Sequence, residues 1–289
     1  MYSVKIKAYA KINLSLDILG KREDGYHELS TVMQQISLHD ELHFKIVDKL
    51  GYDLKLASDK HWLPTDSKNL VYQAARYLKD KFAINEGVFI NIIKRIPVSA
   101  GLGGGSTDCA AAMFGMKKLF NLPLTDADII KLGVKFGADV PFCAMGGAAL
   151  ATGIGEILRP MPSMPPCHIV LVKPRAIMPT EEAFRAFRQE NVKTRPDSER
   201  LLDGLGTGNL VEICKSMANV LESVTVARFP VVQELKEHLL ERGAMGAIMS
   251  GSGPSVFGIF DNHQTAKAAF DSVITAFPDK SEVFLVRPM

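Results

Sequence analysis

Between Pro97 and Asp108 the chain reads Pro-Val-Ser-Ala-Gly-Leu-Gly-Gly-Gly-Ser-Thr-Asp, and four of the five residues from Gly101 to Gly105 are glycine. Glycine permits positive φ and lets a ligand come close to the main chain. Successive amide N–H groups can then line one concavity, which suits an anion such as phosphate. The small and apolar run from about Thr107 to Phe120 predicts a helix directly afterwards. Its free N–H groups and its dipole would add to the same site. Ser106 and Thr107 can cap that helix and donate to a phosphate. A flexible loop is the plainer alternative, but so many glycines cost conformational entropy that a simple turn does not need to spend. No Lys follows Gly105, so this is not a Walker A loop, and the Gly-x-Gly-x-x-Gly spacing is also absent.

Four other segments carry residues able to do chemistry. Lys11 and Asn13 lie two apart in Ala8-Tyr-Ala-Lys-Ile-Asn-Leu14 and share one face of a strand, either a solvated face or the wall of a site. Asp139, in Gly137-Ala-Asp-Val-Pro141, is a turn or cap, or else a carboxylate held against an apolar wall where it could orient a hydroxyl and accept its proton. Tyr26 and His27 follow Asp24-Gly25 and offer either a surface turn or a stacking platform for a planar ligand. Ser250-Gly251-Ser252-Gly253-Pro254 is a hairpin turn or a second loop that closes over phosphates.

These residues need elements to hold them. Ile12, Leu14, Leu16 and Ile18 alternate with polar residues and predict a strand. Leu29–Ile36, Leu42–Ile46 and Tyr52–Leu56 predict three more, and Val88–Ile92 another. The stripe Leu70, Val71, Ala74, Ala75, Leu78 and Phe82 predicts a helix capped by Ser67 or Asn69. A second helix, Asp126–Phe136, follows the one after the glycines. Several strands precede the glycine run, whereas a Rossmann fold places it after the first strand; the order points to an α+β domain with hairpin-connected strands. Gly153–Pro166, rich in Gly and Pro, is the best candidate boundary. Beyond it, strands at His168–Val172, Ala247–Ser250, Val256–Phe260 and Val283–Arg287, with helices near Glu181–Arg188, Leu210–Ala218, Val231–Arg242 and His263–Phe277, suggest a second α+β domain of ferredoxin-like type.

Composition narrows the class. The chain has 289 residues, 47% of them hydrophobic and 23% charged, enough apolar content to exclude a disordered chain. Lys+Arg number 34 and Asp+Glu 32, with no concentrated basic run, which counts against a general nucleic-acid binder. Cys109, Cys143, Cys167 and Cys214 form no C-x-x-C pair, which argues against a zinc ribbon or a thioredoxin-like site and for reduced, buried thiols. Charged residues interrupt the N-terminus, and the longest uncharged apolar stretch, Val140–Ala151, is well short of the roughly 20 residues of a membrane span. The expectation is a soluble, cytoplasmic protein, a monomer or homodimer without membrane or nucleic-acid partners.

Taken together and in this order, the segments resemble the GHMP kinases, the small-molecule kinases of galactose, homoserine, mevalonate and phosphomevalonate. Pro97–Ser106 looks like the family's central ATP-binding motif and Met249–Gly253 like its C-terminal glycine motif. The resemblance implies a two-domain α+β GHMP kinase fold: a ribosomal protein S5 domain 2-like domain over residues 1–160 and a ferredoxin-like domain over 161–289. It is strongest to the branch marked by Ala10–Leu14, Asp24–His27, the Gly-Gly-Gly-Ser loop and Gly137–Pro141. That branch implies ATP-dependent phosphorylation of the 2-hydroxyl of cytidine diphosphate methylerythritol, in non-mevalonate isoprenoid precursor synthesis. Asp139 would be the base, and Lys11 would stabilise the incipient alkoxide and help orient Asp139. Asn13 would hold the erythritol end, Tyr26 and His27 the cytosine, and Gly251, Ser252 and Gly253 the diphosphate. Pro97, Ala100, Gly101, Leu102, Gly103, Gly104, Gly105, Ser106 and Thr107 would form the ATP loop, with Asn69 and Leu70 on the adenine side. Mg²⁺ would accompany ATP, held by phosphate oxygens and water. Some members take a magnesium ligand from a Glu in the helix after the loop; no acidic residue lies between Asp108 and Asp126, so no protein metal ligand is assigned, and Asp108 is read as a helix-start charge. Mevalonate or homoserine kinase is the alternative within the family, and a non-catalytic nucleotide- or RNA-binding protein the alternative outside it.

Overall fold

The computed structural model describes residues 3–47, 52–278 and 281–289. They fall into two compact units, each assembled from three stretches of chain: Met1–Ala10, Leu38–Ile96 and Gly103–Met145 in the first, and Lys11–Ser37, Pro97–Leu102 and Gly146–Met289 in the second. Two long strands run from one unit to the other, β1 (Ser3–Lys21) and β2 (His27–Val47).

In the first unit the C-terminal part of β2 pairs antiparallel with β4 (Gly87–Ile93), Phe44 opposite Ile90, and β4 pairs parallel with β3 (Leu54–Ser58). The unit also holds α1 (Leu70–Lys81), α2 (Gly104–Phe120), α3 (Asp126–Gly133) and α4 (Val140–Met145). Leu42, Phe44, Leu78, Ile90, Met113 and Met116 lie at the centre of its core. The small residues of α2 allow close approach to the sheet: a Cβ on Gly115 would sit 2.2 Å from the Phe44 ring.

In the second unit the N-terminal part of β2 pairs with β5 (Ala148–Gly153), and β5 with β6 (Ile157–Met161). A separate antiparallel sheet runs in the order β10 (Ser281–Val286), β7 (His168–Pro174), β9 (Val256–Phe260), β8 (Gly246–Met249). With it come α5 (Thr180–Ala186), α6 (Ser198–Thr207), α7 (Leu210–Ser216), α8 (Glu222–Arg228), α9 (Val231–Glu241) and α10 (His263–Ala276). Its core joins Leu16, Ile18 and Leu29 to Val170, Leu235, Phe260 and Val273.

The strands read as Leu29–Ile36 and Leu42–Ile46 are one continuous strand; Asp40, in the stretch between them, is fully buried and paired with Lys94. The helix after the glycines begins at Gly104, not Thr107. Its N-cap is Gly103 at φ 67°, with no side-chain cap, so Ser106 and Thr107 lie inside the first turn and cap nothing. The helices α6 and α8 escaped detection, since Gly204 and Gly206 in one and Val224, Thr225 and Val226 in the other are weak helix formers. Val140–Met145 is a helix that carries Pro141 in its first turn, where the missing N–H costs nothing. The Gly/Pro-rich 153–166 stretch contains β6, and we keep the division near residue 160 as a proposal. Among the described residues no helix is long and apolar enough to cross a membrane.

Candidate active site

Lys11 and Asn13 sit where β1 enters the second unit, and burial replaces the solvated face: they are 4% and 2% exposed. Lys11 Nζ donates to Asn13 Oδ1 at 2.7 Å, so the ammonium partner turns the Asn amide in a defined direction. Asn13 Nδ2 donates to Thr31 Oγ1 at 2.8 Å, and Thr31 donates to the Ser15 carbonyl at 2.6 Å. A buried ammonium persists only where charge or strong acceptors meet it.

Both glycine segments close on this strand. The Lys11 N–H donates to the Leu102 carbonyl at 3.1 Å. The Asn13 N–H donates to Ser250 Oγ at 3.2 Å, and Ser250 Oγ donates to the Gly101 carbonyl at 2.9 Å. Gly101 has φ 75°, and a Cβ there would stand 2.0 Å from the Ser250 carbonyl oxygen, so only glycine fits. A Cβ on Gly251 would come within 3.1 Å of the Gly101 oxygen and 3.3 Å of Asn13 Oδ1. The second glycine loop is itself anchored: Asn219 Nδ2 donates to the Met249 and Gly251 carbonyls, both at 2.8 Å, Thr225 Oγ1 donates to the Ser252 carbonyl, and Thr180 Oγ1 lies 3.1 Å from Ser252 Oγ.

The rest of the glycine run starts α2 in the first unit. Gly105 faces open space, with nothing within 4 Å of a Cβ placed there. The uncapped N–H groups of the first turn therefore have room for an anion. Ser106 is half-buried beside them. Pro97, Ala100, Leu102 and Thr107 are buried, so they shape the loop and can offer a ligand little beyond main chain. Asn69 is occupied as the cap of α1, accepting from the Val71 N–H at 2.9 Å and donating to the Pro64 carbonyl at 2.8 Å; Leu70 is the first residue of that helix.

His27 opens β2 with its ring stacked on Phe184 (centroids 5.5 Å, 30° apart) and edge-on to Phe187 (6.4 Å, 86°). Burial, and then the Lys21 charge, lower the imidazole pKa, so it is neutral at pH 7. Tyr26, 61% exposed, caps the turn closed by its carbonyl accepting from the Arg22 N–H. His27 thus packs between two rings, Phe184 and Phe187, that the sequence did not single out. They lie far along the chain, in a stretch whose only visible signal is helical spacing.

Asp139 is half-buried and immediately precedes α4, its carbonyl accepting from the Cys143 N–H at 3.0 Å. It therefore stands at a helix start, where a carboxylate is favoured. Asp108, read as a helix-start charge, is instead buried at 4% exposure and bound to Lys94. All four cysteines are free and buried. No group of three or more His, Cys, Asp or Glu among the described residues is arranged to hold a metal ion.

Comparison with known proteins adds the family context. Residues 69–147 match the GHMP kinases N terminal domain, and residues 201–279 the GHMP kinases C terminal domain. The 4-diphosphocytidyl-2-C-methyl-D-erythritol kinase of Acetivibrio thermocellus is 45% identical over 273 residues, 94% of this chain and 95% of that protein. The kinase of the same name from Clostridium kluyveri is 44% identical over 98% of this chain and 99% of its own. A crystal structure titled 4-(cytidine 5'-diphospho)-2C-methyl-D-erythritol kinase superposes with a TM-score of 0.83 at 31% identity, covering 99% of each chain. The homoserine kinase of Cytophaga hutchinsonii shares the fold, with a TM-score of 0.79 at 21% identity over 99% of this chain and 94% of that one.

Proposed function

The chain belongs to the GHMP kinase family, and we propose that it transfers the γ-phosphoryl group of ATP to the 2-hydroxyl of 4-diphosphocytidyl-2-C-methyl-D-erythritol, a step of non-mevalonate isoprenoid precursor synthesis. The observation that carries the reading is the buried Lys11–Asn13 pair, locked by its own backbone to Leu102 of one glycine segment and to Ser250 of the other. The acceptor is taken from the relatives, 45% and 44% identical over nearly the whole chain.

Phosphoryl transfer asks for alignment and charge stabilisation more than covalent chemistry. In this reading the amides from Gly101 to Ser106 hold the ATP phosphates, and Lys11 meets the negative charge that grows on the acceptor oxygen. Asn13, oriented by Lys11 and Thr31, hydrogen-bonds the polyol. Asp139 accepts the hydroxyl proton. Gly251–Gly253 serve the diphosphate, and Tyr26 and His27, backed by Phe184, take the cytosine face. Asn69 and Leu70 stand on the adenine side, with the Asn69 side chain already spent on capping. Mg²⁺ supplies charge neutralisation while travelling with the phosphates, and we assign it no protein ligand. A cytoplasmic monomer or homodimer fits this metabolic role.

Phosphorus NMR of the purified protein with ATP, Mg²⁺ and the cytidine substrate tests the reading. A new phosphomonoester resonance appearing with ADP supports it; intact ATP beside this acceptor, with turnover on mevalonate or homoserine, overturns the acceptor. Asp139→Asn should lower kcat by roughly a hundredfold or more while ATP still binds. A kcat near that of the parent would remove Asp139 from the role of base.

A further inference from the structure

A buried charge cluster lies in the first unit behind the start of α2, and none of the roles above uses it. Lys94 Nζ donates to Asp40 Oδ2 at 2.5 Å and to Asp108 Oδ2 at 2.6 Å, with all three side chains no more than 5% exposed. Asp40 Oδ1 also accepts from the backbone N–H groups of Arg95 and Ile96, which lead into the glycine run. Lys94 Nζ is 3.2 Å from the point a Gly104 Cβ would occupy, so the ammonium sits against the first residue of α2. Asp108, one turn further along that helix, keeps a buried Oδ1 with no hydrogen-bond partner.

An ionised carboxylate with a buried, unsatisfied oxygen is costly, and two carboxylates sharing one ammonium cannot both ionise cheaply. Burial raises the Asp108 pKa, Lys94 draws it back and Asp40 adds to the rise, leaving it at about 8. Burial alone would lower Lys94, but the two carboxylates outweigh it and hold the ammonium above its usual value. Of the charged and titratable groups on neighbouring elements, Asp59 accepts from the Lys94 backbone N–H, Arg95 pairs with Glu41, the Cys109 thiol is pushed up to about 12, and Lys79 of α1 is committed to Asp53 and to the Ile84 and Glu86 carbonyls. From α4 comes the buried thiol of Cys143, while Asp126 and Asp128 of α3 are engaged with Lys117 and Thr125 at the surface.

We propose that Asp108, with Lys94 and Asp40, is a positioning residue that sets the charge behind the nucleotide cradle, so that ATP binding at the start of α2 draws a proton from solvent onto Asp108. The inference rests on reading the glycine run as the ATP loop. With Asp108 protonated, the cluster is one cation and one anion, and the helix start is unopposed. With Asp108 ionised, an extra negative charge stands behind the phosphates and weakens their binding. ATP in turn raises the proton affinity of Asp108, as linkage requires.

Calorimetric titration of the full chain with Mg-ATP in two buffers of different ionisation enthalpy tests this. The expected result is proton uptake near pH 8, beyond that of the nucleotide itself, which vanishes at pH 6, where Asp108 already carries its proton. Asp108→Asn mimics the protonated form. It should bind ATP like the parent at pH 6, bind roughly tenfold more tightly than the parent at pH 9, and show no extra uptake at pH 8. Lys94→Met should raise the KM for ATP and leave the KM for the acceptor unchanged. Equal uptake at pH 6 and pH 8 in the parent, which needs no variant to fold, overturns the proposal. So does parallel pH dependence of parent and Asp108→Asn. Absence of any ATP binding by the parent overturns the kinase reading instead.

Discussion

At the scale of single residues, burial decides which partners a polar side chain meets. Spacing alone leaves Lys11 and Asn13 as either a solvated strand face or the wall of a site; at 4% and 2% exposure they form a buried, hydrogen-bonded pair. The His27–Phe184 stack is a second case. Phe184→Ala should raise the KM for the cytidine acceptor roughly tenfold, the worth of one aromatic stacking partner, with the KM for ATP unchanged; steady-state kinetics with each substrate varied in turn checks it. His27 adds a pH signature. Its folded pKa lies below 6.5, so the unfolded chain takes up a proton first as pH falls, and the stability that the neutral ring contributes is lost below about pH 6.5. The sign is opposite to that of a histidine held by a carboxylate. Thermal melts of the parent against His27→Gln, which cannot titrate, should differ by a constant amount above pH 7, and the parent's advantage should shrink below pH 6.

At the scale of elements, the two ends of the glycine run have different jobs. Gly101 is held at positive φ against the Ser250 carbonyl, whereas Gly105 belongs to the helix and faces open space. Gly101→Ala should destabilise the fold by about 2 kcal/mol or more, from left-handed strain and overlap. Gly105→Ala should leave the melting temperature equal or slightly higher, since Ala suits a helix better, while raising the KM for ATP by putting a methyl group where phosphate would lie. Melting curves and ATP kinetics on both variants separate the two roles. A Gly105→Ala protein with unchanged ATP kinetics would place the phosphates elsewhere. The start of α2 could not be read from the residues: Ser106 and Thr107 look like caps, but Gly103 ends the loop in a left-handed conformation and the helix begins two residues before Ser106.

At the scale of the whole chain, the compact units are interleaved in sequence. Leu16, Ile18 and Leu29 belong to the core that also holds Val170, Leu235 and Phe260, and Leu16 exchanges backbone hydrogen bonds with Ala218 and Val220. A fragment spanning 161–289 loses those partners and exposes their apolar neighbours. We expect it to show no cooperative thermal transition by circular dichroism and to bind a hydrophobic dye. A sharp transition would show that the proposed division near residue 160 is also a boundary of autonomous folding.

Much of this protein was legible from local pattern. Period-two alternation marked β1, short apolar runs marked β4, β7 and β9, and the stripe from Leu70 with Asn69 before it marked a capped helix. Such features depend on neighbours a few residues apart, and those neighbours are in the sequence. The order of the glycine run, Lys11, Asp139 and the second glycine loop was enough to suggest the family. Tertiary structure alone decided what depends on distant partners: that Asp40 continues a strand with Lys94 neutralising it, that Ser250 bridges Asn13 and Gly101, and that Phe184 and Phe187 pack against His27. Each is a contact between residues more than fifty positions apart, and its energy comes from burial that no local pattern carries.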